Sequence, residues 1–215
     1  MIPDRIMDTV ESLILRAKQT KNGFLDIKQA AEKVVDDNTP KESFRLAKVL
    51  FESEVNQARS LATFILGHLA ATSGESLKFL RTNVSQDEDW GVQEILAKAF
   101  DNYCAITGYE QSIVVINDWL ADSNPNVRRA VTEGLRIWTS RPYFCAHPDI
   151  AINLLSRLRD DKSEYVRRSV GNALKDISKK HKTLVTTELR SWDISKKSVK
   201  QTYKLASKFL ERPMN

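Results

Sequence analysis

Glycine and proline are scarce in this chain, 7 and 6 of its 215 residues. No glycine-rich run of the kind that cradles a phosphate occurs, which argues against the nucleotide chemistry such loops support. Cysteine is scarcer still. Cys104 and Cys145 stand far apart, and His68, His147 and His181 are scattered without CxxC or HExxH spacing. The pattern implies neither a zinc site nor a disulfide framework, and the two thiols read as small packing residues. Long apolar runs are missing too: "IVVI" at Ile113 to Ile116 is far too short to cross a bilayer. The segment "MIPDRIMDTVES" lacks the apolar core of a secretory signal, so the expected location is the cytoplasm and no membrane partner is expected.

Leu, Ala, Lys, Glu and Arg are abundant instead, the composition of a mostly helical protein. Apolar residues recur three and four apart almost throughout, and no stretch alternates as a strand would. The pattern predicts helices near 4–21, 25–37, 41–52, 54–72, 75–83, 89–107, 110–121, 124–139, 147–160, 163–180, 182–191 and 196–211. Pro40 and Pro125 suit first helical turns, "TSGES" and "DSNPN" offer caps, and "TSRPYFCAHP" reads as the longest irregular link.

Three segments repeat: "DWGVQEILAKAF" (Asp89 to Phe100), "NPNVRRAVTEGL" (Asn124 to Leu135) and "SEYVRRSVGNAL" (Ser163 to Leu174). They bring Val92, Val127 and Val166 into register, and "NQARSLATFILGH" adds a weaker copy with Ala58 at that position. Steps of 34 to 39 residues fit helix pairs stacked as a solenoid. The expected fold is therefore all-α, a single domain over residues 1–215 of about six stacked antiparallel helix pairs, curved around a concave groove.

Two copies carry an arginine pair, Arg128–Arg129 and Arg167–Arg168, where the first carries Gln93 and Glu94. Such arginines suit phosphate, since guanidinium groups offer fixed charge and paired donors. They also suit an ordinary solvated helix face or an i, i+4 ion pair such as Arg129 with Glu133. From Ser156 onward the chain holds 16 Lys or Arg against 7 Asp or Glu, which fits either a polyanion partner or solvated faces. A carboxylate among those cations repels a polyanion, so Glu94 makes sense if something positive sits there. A cationic alkylated base is one candidate: Trp90, one turn earlier, would attract it through its ring face, and the carboxylate would stabilise charge growing on the sugar. The bland alternative pairs Glu94 with Lys98 and puts Trp90 in the core.

"DDKSEYVRRSVGNALKDISKKH" (Asp160 to His181) and "NPNVRRAVTEGLRIW" (Asn124 to Trp138) resemble the HEAT-like-repeat DNA alkylation-repair glycosylases, the AlkC/AlkD superfamily, with details nearer the AlkC-like branch. The resemblance spans about Asp89 to Phe209. It implies excision of cationic N-alkylated bases, 3-methyladenine first, from duplex DNA by hydrolysis, with no cofactor and no metal, by a monomer associated with the nucleoid. It further implies Trp90 and Glu94 on the catalytic helix, with Glu133 (in "EGLR", beside Arg136) and Asp176 (in "KDIS") as additional acids. Phosphate contacts are implied for Arg129 or Arg128, and on the same model for Arg136, Arg167, Arg168 and Lys175. Where the AlkD-like branch has a tryptophan this chain has Asn172, so an aromatic wall of the lesion pocket falls to Trp138, Tyr143 or Phe144. That departure leaves open a chain that binds DNA without cleaving it, or a protein-interaction scaffold.

Overall fold

The computed structural model describes residues 4–19 and 24–210. Among these residues the protein is all helical, without a strand. Its packing divides into two compact units, Met1–Ile106 and Thr107–Asn215.

The first unit holds α1 (Asp4–Lys18), α2 (Leu25–Asp37), α3 (Pro40–Phe51), α4 (Asn56–Leu69), α5 (Gly74–Thr82) and, after a 3₁₀ turn at Val84–Gln86, α6 (Trp90–Thr107). Helix α4 is the hub against which α1, α2, α3 and α5 pack. Its residues from Ala58 through Gly67 are all buried except Arg59, as a helix surrounded by others requires. The second unit runs α7 (Ile113–Leu120), α8 (Pro125–Gly134), α9 (Pro142–Ala146), α10 (Pro148–Ser156), α11 (Glu164–Ser178), α12 (Lys182–Arg190) and α13 (Lys197–Ala206). Here α8, α11 and α13 lie side by side, with α7 behind α8 and α10 and α12 behind α11. This two-layer stacking of helix pairs is the HEAT-like pattern expected from the period of the sequence. The registered residues Ala58, Val92, Val127 and Val166 are each fully buried.

Helix starts follow the local chemistry. Thr39 and Glu42 form a reciprocal capping box with Pro40 in the first turn of α3, Ser73 accepts from the Ser76 N–H, and Asn124 accepts from the Asn126 N–H ahead of Pro125.

One region departs from the expected pattern. A continuous helix is predicted through 139, yet α8 stops at Gly134, Ile137 turns left-handed (φ 57°), and Trp138–Ser140 form a single 3₁₀ turn. The supposed irregular link then contains α9. Trp138 and Phe144 explain the break: both are completely buried, with ring centroids 5.0 Å apart, and a straight α8 would carry Trp138 away from Phe144. Burying two aromatics, each about 3–5 kcal/mol when removed from a core, outweighs the roughly 1–3 kcal/mol of a β-branched residue at positive φ.

Close helix contact depends on two glycines. A Cβ on Gly67 would stand 2.7 Å from the Ala99 Cβ of α6, and one on Gly171 of α11 would stand 2.6 Å from the Leu205 Cβ and 3.0 Å from the Thr202 carbonyl oxygen of α13. Gly74, by contrast, has open space around it. Gly171→Ala is therefore expected to lower the denaturant midpoint, overpacking of about 1–3 kcal/mol exceeding a helix-propensity gain of about 1 kcal/mol, while Gly74→Ala leaves it unchanged or slightly raised. Equal behaviour of the two variants in urea titrations would contradict the packing described.

Candidate functional site

The repeated arginine pairs divide into two chemically different residues. The first member reaches back to the turn ahead of its own helix. Arg128 Nη1 donates to the Asp122 carbonyl at 2.7 Å and Arg167 Nη1 to the Asp161 carbonyl at 2.6 Å; Arg59, in the weaker copy, does the same to the Ser53 carbonyl at 3.0 Å. Each acceptor lies six residues upstream. The rest of each guanidinium takes an acceptor from the next repeat: Arg59 the carboxylate of Asp87, Arg128 both oxygens of Asp161 at 2.7 Å, and Arg167 the Oε1 of Gln201. Asp87 and Asp161 in turn accept the N–H groups of Asp89 and Ser163. The donors of Arg128 and Arg167 are thus engaged within the protein, which sets them apart from the solvated cations of the alternative reading. The Arg128 and Asp161 side chains are only 12% and 5% exposed, so this pair belongs to the interior.

Gln93 occupies the same slot on α6. Its Nε2 donates to the carbonyls of Asp87, again six residues back, at 2.7 Å and of Val84 at 2.9 Å, while its Oε1 is buried without a partner. The neutral amide keeps the backward bond and omits the charge.

The second member of each pair, one residue on and about 100° around the helix, is where the series changes sign. Glu94 and Arg129 are half-buried, and Arg168 is exposed with a 2.6 Å ion pair to Glu164. Trp90 is 75% exposed, which removes the reading that it is a core residue. Trp90, Glu94, Lys98, Asp101 and Ala105 fall at i, i+4, i+8, i+11 and i+15 and share the open flank of α6, where each is exposed or half-buried.

The start of that helix is fixed by Asp89, a residue the sequence reading passed over. Its Oδ1 accepts from the Gly91 and Val92 N–H groups at 2.8 and 3.1 Å, and its Oδ2 accepts from Asn56 Nδ2 at 2.9 Å. Burial pushes the Asp89 carboxyl up, but those hydrogen bonds and the Arg59 charge prevail and hold it below the usual carboxylate range. An aspartate directly before an apolar-periodic run was the available signal. Gly91 follows within that turn: a Cβ there would stand 3.0 Å from the Asp89 Oδ1, with the Phe24 ring at an ordinary contact distance of 3.7 Å.

In the second unit two of the expected acids meet through one arginine. Arg136 lies 3.8 Å from Glu133 and 3.5 Å from Asp176, and Lys179 Nζ donates to Asp176 at 2.8 Å. Asp176 is buried. Burial raises its carboxyl, but the hydrogen bond from Lys179 and the charges of Lys179, Lys175 and Arg136 outweigh this and hold it below its ordinary range. Lys175 donates to Asn172 Oδ1 at 3.1 Å. Trp138, expected to wall a lesion pocket, lies wholly in the core instead; half-buried Tyr143 packs on Phe144 and on His147. Among the described residues no helix is long and apolar enough to cross a membrane.

With this geometry in hand, similarity to known proteins is informative. A sequence model of the family described as DNA alkylation repair enzyme matches residues 24–205. The chain belongs to that family. It is 44% identical to AlkD2 from Streptococcus mutans over 96% of this chain and 100% of the other, with a TM-score of 0.93 between the structures. A second crystal structure, smu.31 from Streptococcus mutans UA159, is 43% identical over 96% and 98% of the two chains (TM-score 0.86). The alkylpurine DNA glycosylase AlkC from Pseudomonas fluorescens, bound to DNA containing an abasic-site analog, shares the fold at 22% identity and TM-score 0.51, over 96% of this chain and 62% of that one. Of these, AlkD2 and not AlkC is the more alike, although the sequence details point toward the AlkC-like branch. Over 87 residues the chain is also 37% identical to the uncharacterized protein YhaZ of Bacillus subtilis strain 168, a match spanning only 24% of that longer relative.

The division of labour between paired arginines is testable in this member of the DNA alkylation repair enzyme family. Arg128→Ala leaves the Asp161 carboxylate buried and unpaired and is expected to cost about 3–5 kcal/mol of stability in chemical denaturation; Arg129→Ala is expected to cost about 1 kcal/mol or less. Comparable losses for both would remove the distinction. For Asp176, whose carboxyl is held low in the folded state, the stabilisation is complete above the unfolded value of about 3.9 and is lost as pH falls below it. The stability gap between wild type and Asp176→Asn should accordingly begin to narrow in denaturation curves taken below about pH 4 and keep shrinking with further acid.

Proposed function

We propose that the protein is a monofunctional DNA glycosylase that removes positively charged N-alkylated bases, of the 3-methyladenine type, from duplex DNA. The observation that carries this reading is Trp90, which stands exposed at the first position of α6 with the Glu94 carboxylate one turn further along the same flank. An aromatic face attracts a cationic ring, and a carboxylate at the sugar stabilises the oxocarbenium-like transition state as the C–N bond opens. The electron pair of that bond goes to the base, which leaves neutral because it began as a cation. Water adds to the sugar carbon and gives up a proton. No acid has to protonate the ring, since alkylation has already made it a leaving group.

Phosphate contacts fall to Arg129, at the second position of its pair, to Arg168 and Lys175, whose bonds stay within α11, and to Arg136, steadied by Glu133 and Asp176. Glu133 and Asp176 then act as positioning residues for Arg136. Membership of the DNA alkylation repair family supports this reading, as does the likeness to AlkD2.

A second reading, a DNA-binding module without catalysis, draws on Trp138 being in the core and on Asn172 accepting from Lys175, so that neither position offers an aromatic wall to a lesion. Release of methylated base from DNA treated with a methylating agent separates the two. Wild type is expected to release base, and Glu94→Gln to do so about 100- to 1000-fold more slowly, the usual loss for a transition-state charge contact. If wild type releases nothing, or the variant matches it, the glycosylase reading is wrong; a Glu94→Gln chain that also binds duplex DNA as well as wild type would identify the binding module.

A further inference from the structure

A pocket of about 480 Å³ opens in the first unit on the same flank of α6 that carries Glu94. Lys98, Asp101, Asn102 and Ala105 form its α6 wall, Phe64, Gly67 and His68 its α4 wall, and Phe24, Leu25 and Lys28 close it from the start of α2. The volume lies in the range of small-molecule sites. Two phenyl rings line it, and the Phe24 ring reaches to within 3.7 Å of the Cβ position of Gly91, the neighbour of Trp90. Phe24 thus ties the pocket to the first turn of α6, while the pocket's own α6 wall starts two turns further on, at Lys98.

Its polar groups suit a neutral, hydrogen-bonding ring. Asn102 is fixed by donating Nδ2 to the Gly67 carbonyl at 3.1 Å, which orients its Oδ1 as an acceptor. Burial pushes the His68 imidazole below its ordinary range and Lys28 adds to this, against opposing pulls from Glu32 and Asp36, so the neutral ring offers one donor and one acceptor. Lys28, Lys98 and Asp101 line the pocket, two cations against one carboxylate, with Glu32 3.6 Å from Lys28. The net positive lining disfavours a cation.

We infer that this aromatic-walled pocket of α2, α4 and α6 receives a neutral alkylated purine, the base set free by the reaction, between Phe24 and Phe64. The inference rests on the glycosylase reading for the source of the base, since scission converts a cationic nucleoside into a neutral heterocycle. It does not rest on that reading for binding, which requires only the pocket. The pocket discriminates by charge: the intact lesion is held off by Lys28 and Lys98, whereas the released base enters.

The test is binding of free 3-methyladenine to the full chain without DNA, followed by ligand-observed NMR, with 7-methylguanosine as the cationic comparison. Wild type is expected to bind the neutral base at least about tenfold tighter than the cation. Ala105→Trp, which fills the pocket from an exposed position, and Phe24→Ala, which removes a stacking wall, are each expected to weaken the neutral base at least about tenfold. The Ala105 site is on the surface, so loss of binding there is not loss of folding, and unchanged circular dichroism confirms it. No binding by wild type at millimolar base, binding untouched by Ala105→Trp, or preference for the cation would each overturn the inference, even if base release from DNA is robust. Pocket-dependent binding by a chain that releases no base from methylated DNA would uphold the pocket and sink the glycosylase reading.

Discussion

A donor reaching back six residues, from the first turn of a repeat's inner helix to the carbonyl of the turn before it, is the constraint on which the rest of this protein depends. Arg59, Gln93, Arg128 and Arg167 all make that bond. Backbone carbonyls in a turn have no ladder partner, and a buried one left alone costs as much as a lost hydrogen bond. The guanidinium answers this at both ends, satisfying its own turn and the acid or amide of the following repeat. One side chain thus fixes the angle between a helix and its loop and the spacing to the next helix pair.

That constraint decides which residues remain available for function. Because the first member of each pair points inward, its neighbour is rotated about 100° toward the open flank. In the second unit it is arginine; on α6 it is Glu94. The substitution in the first position matters equally. An arginine in place of Gln93 would add a positive charge one residue from the Glu94 carboxylate, and that charge would oppose any cationic ligand there. A neutral amide performs the backward bond without adding a positive charge beside Glu94. The cost is visible in the Gln93 Oε1, buried without a partner.

Much of this was legible in the chain. The helical period placed nearly every helix, the registered Ala58, Val92, Val127 and Val166 all proved to be core, and the caps at Thr39, Ser73 and Asn124 sat where Ser, Thr or Asn preceded a helix. Less legible was the role of the paired arginines, because composition and period say that a guanidinium is present but not what its donors meet. A signal did exist: Asp87 to Gln93, Asp122 to Arg128 and Asp161 to Arg167 share a six-residue spacing. The end of α8 was hidden for a different reason. Trp138 continues the apolar stripe of its helix in sequence, and only Phe144, six residues on in a stretch that looks like a linker, supplies the contact that pulls it out of the helical path. A tertiary contact overrode a local period. The pocket walls escaped notice because Phe24, Phe64 and Asn102 come from three helices that no motif connects.

The open flank of α6 also orders its charges along the helix. An aromatic face and a carboxylate come first, then the ammonium of Lys98 about 12 Å further on from Trp90, given 1.5 Å of rise per residue. Lys28 reinforces that ammonium from α2. A cationic ring is attracted by the first stretch and repelled by the second; a neutral ring is nearly indifferent to both and is governed by stacking and hydrogen bonds. A reaction that cancels the charge of its leaving group therefore changes which part of the flank holds that group better. On the proposed glycosylase reading, the electrostatics that favour a charged reactant at Glu94 would cease to hold its neutral product, so departure from the acid would need no motion of the protein, only the loss of one positive charge.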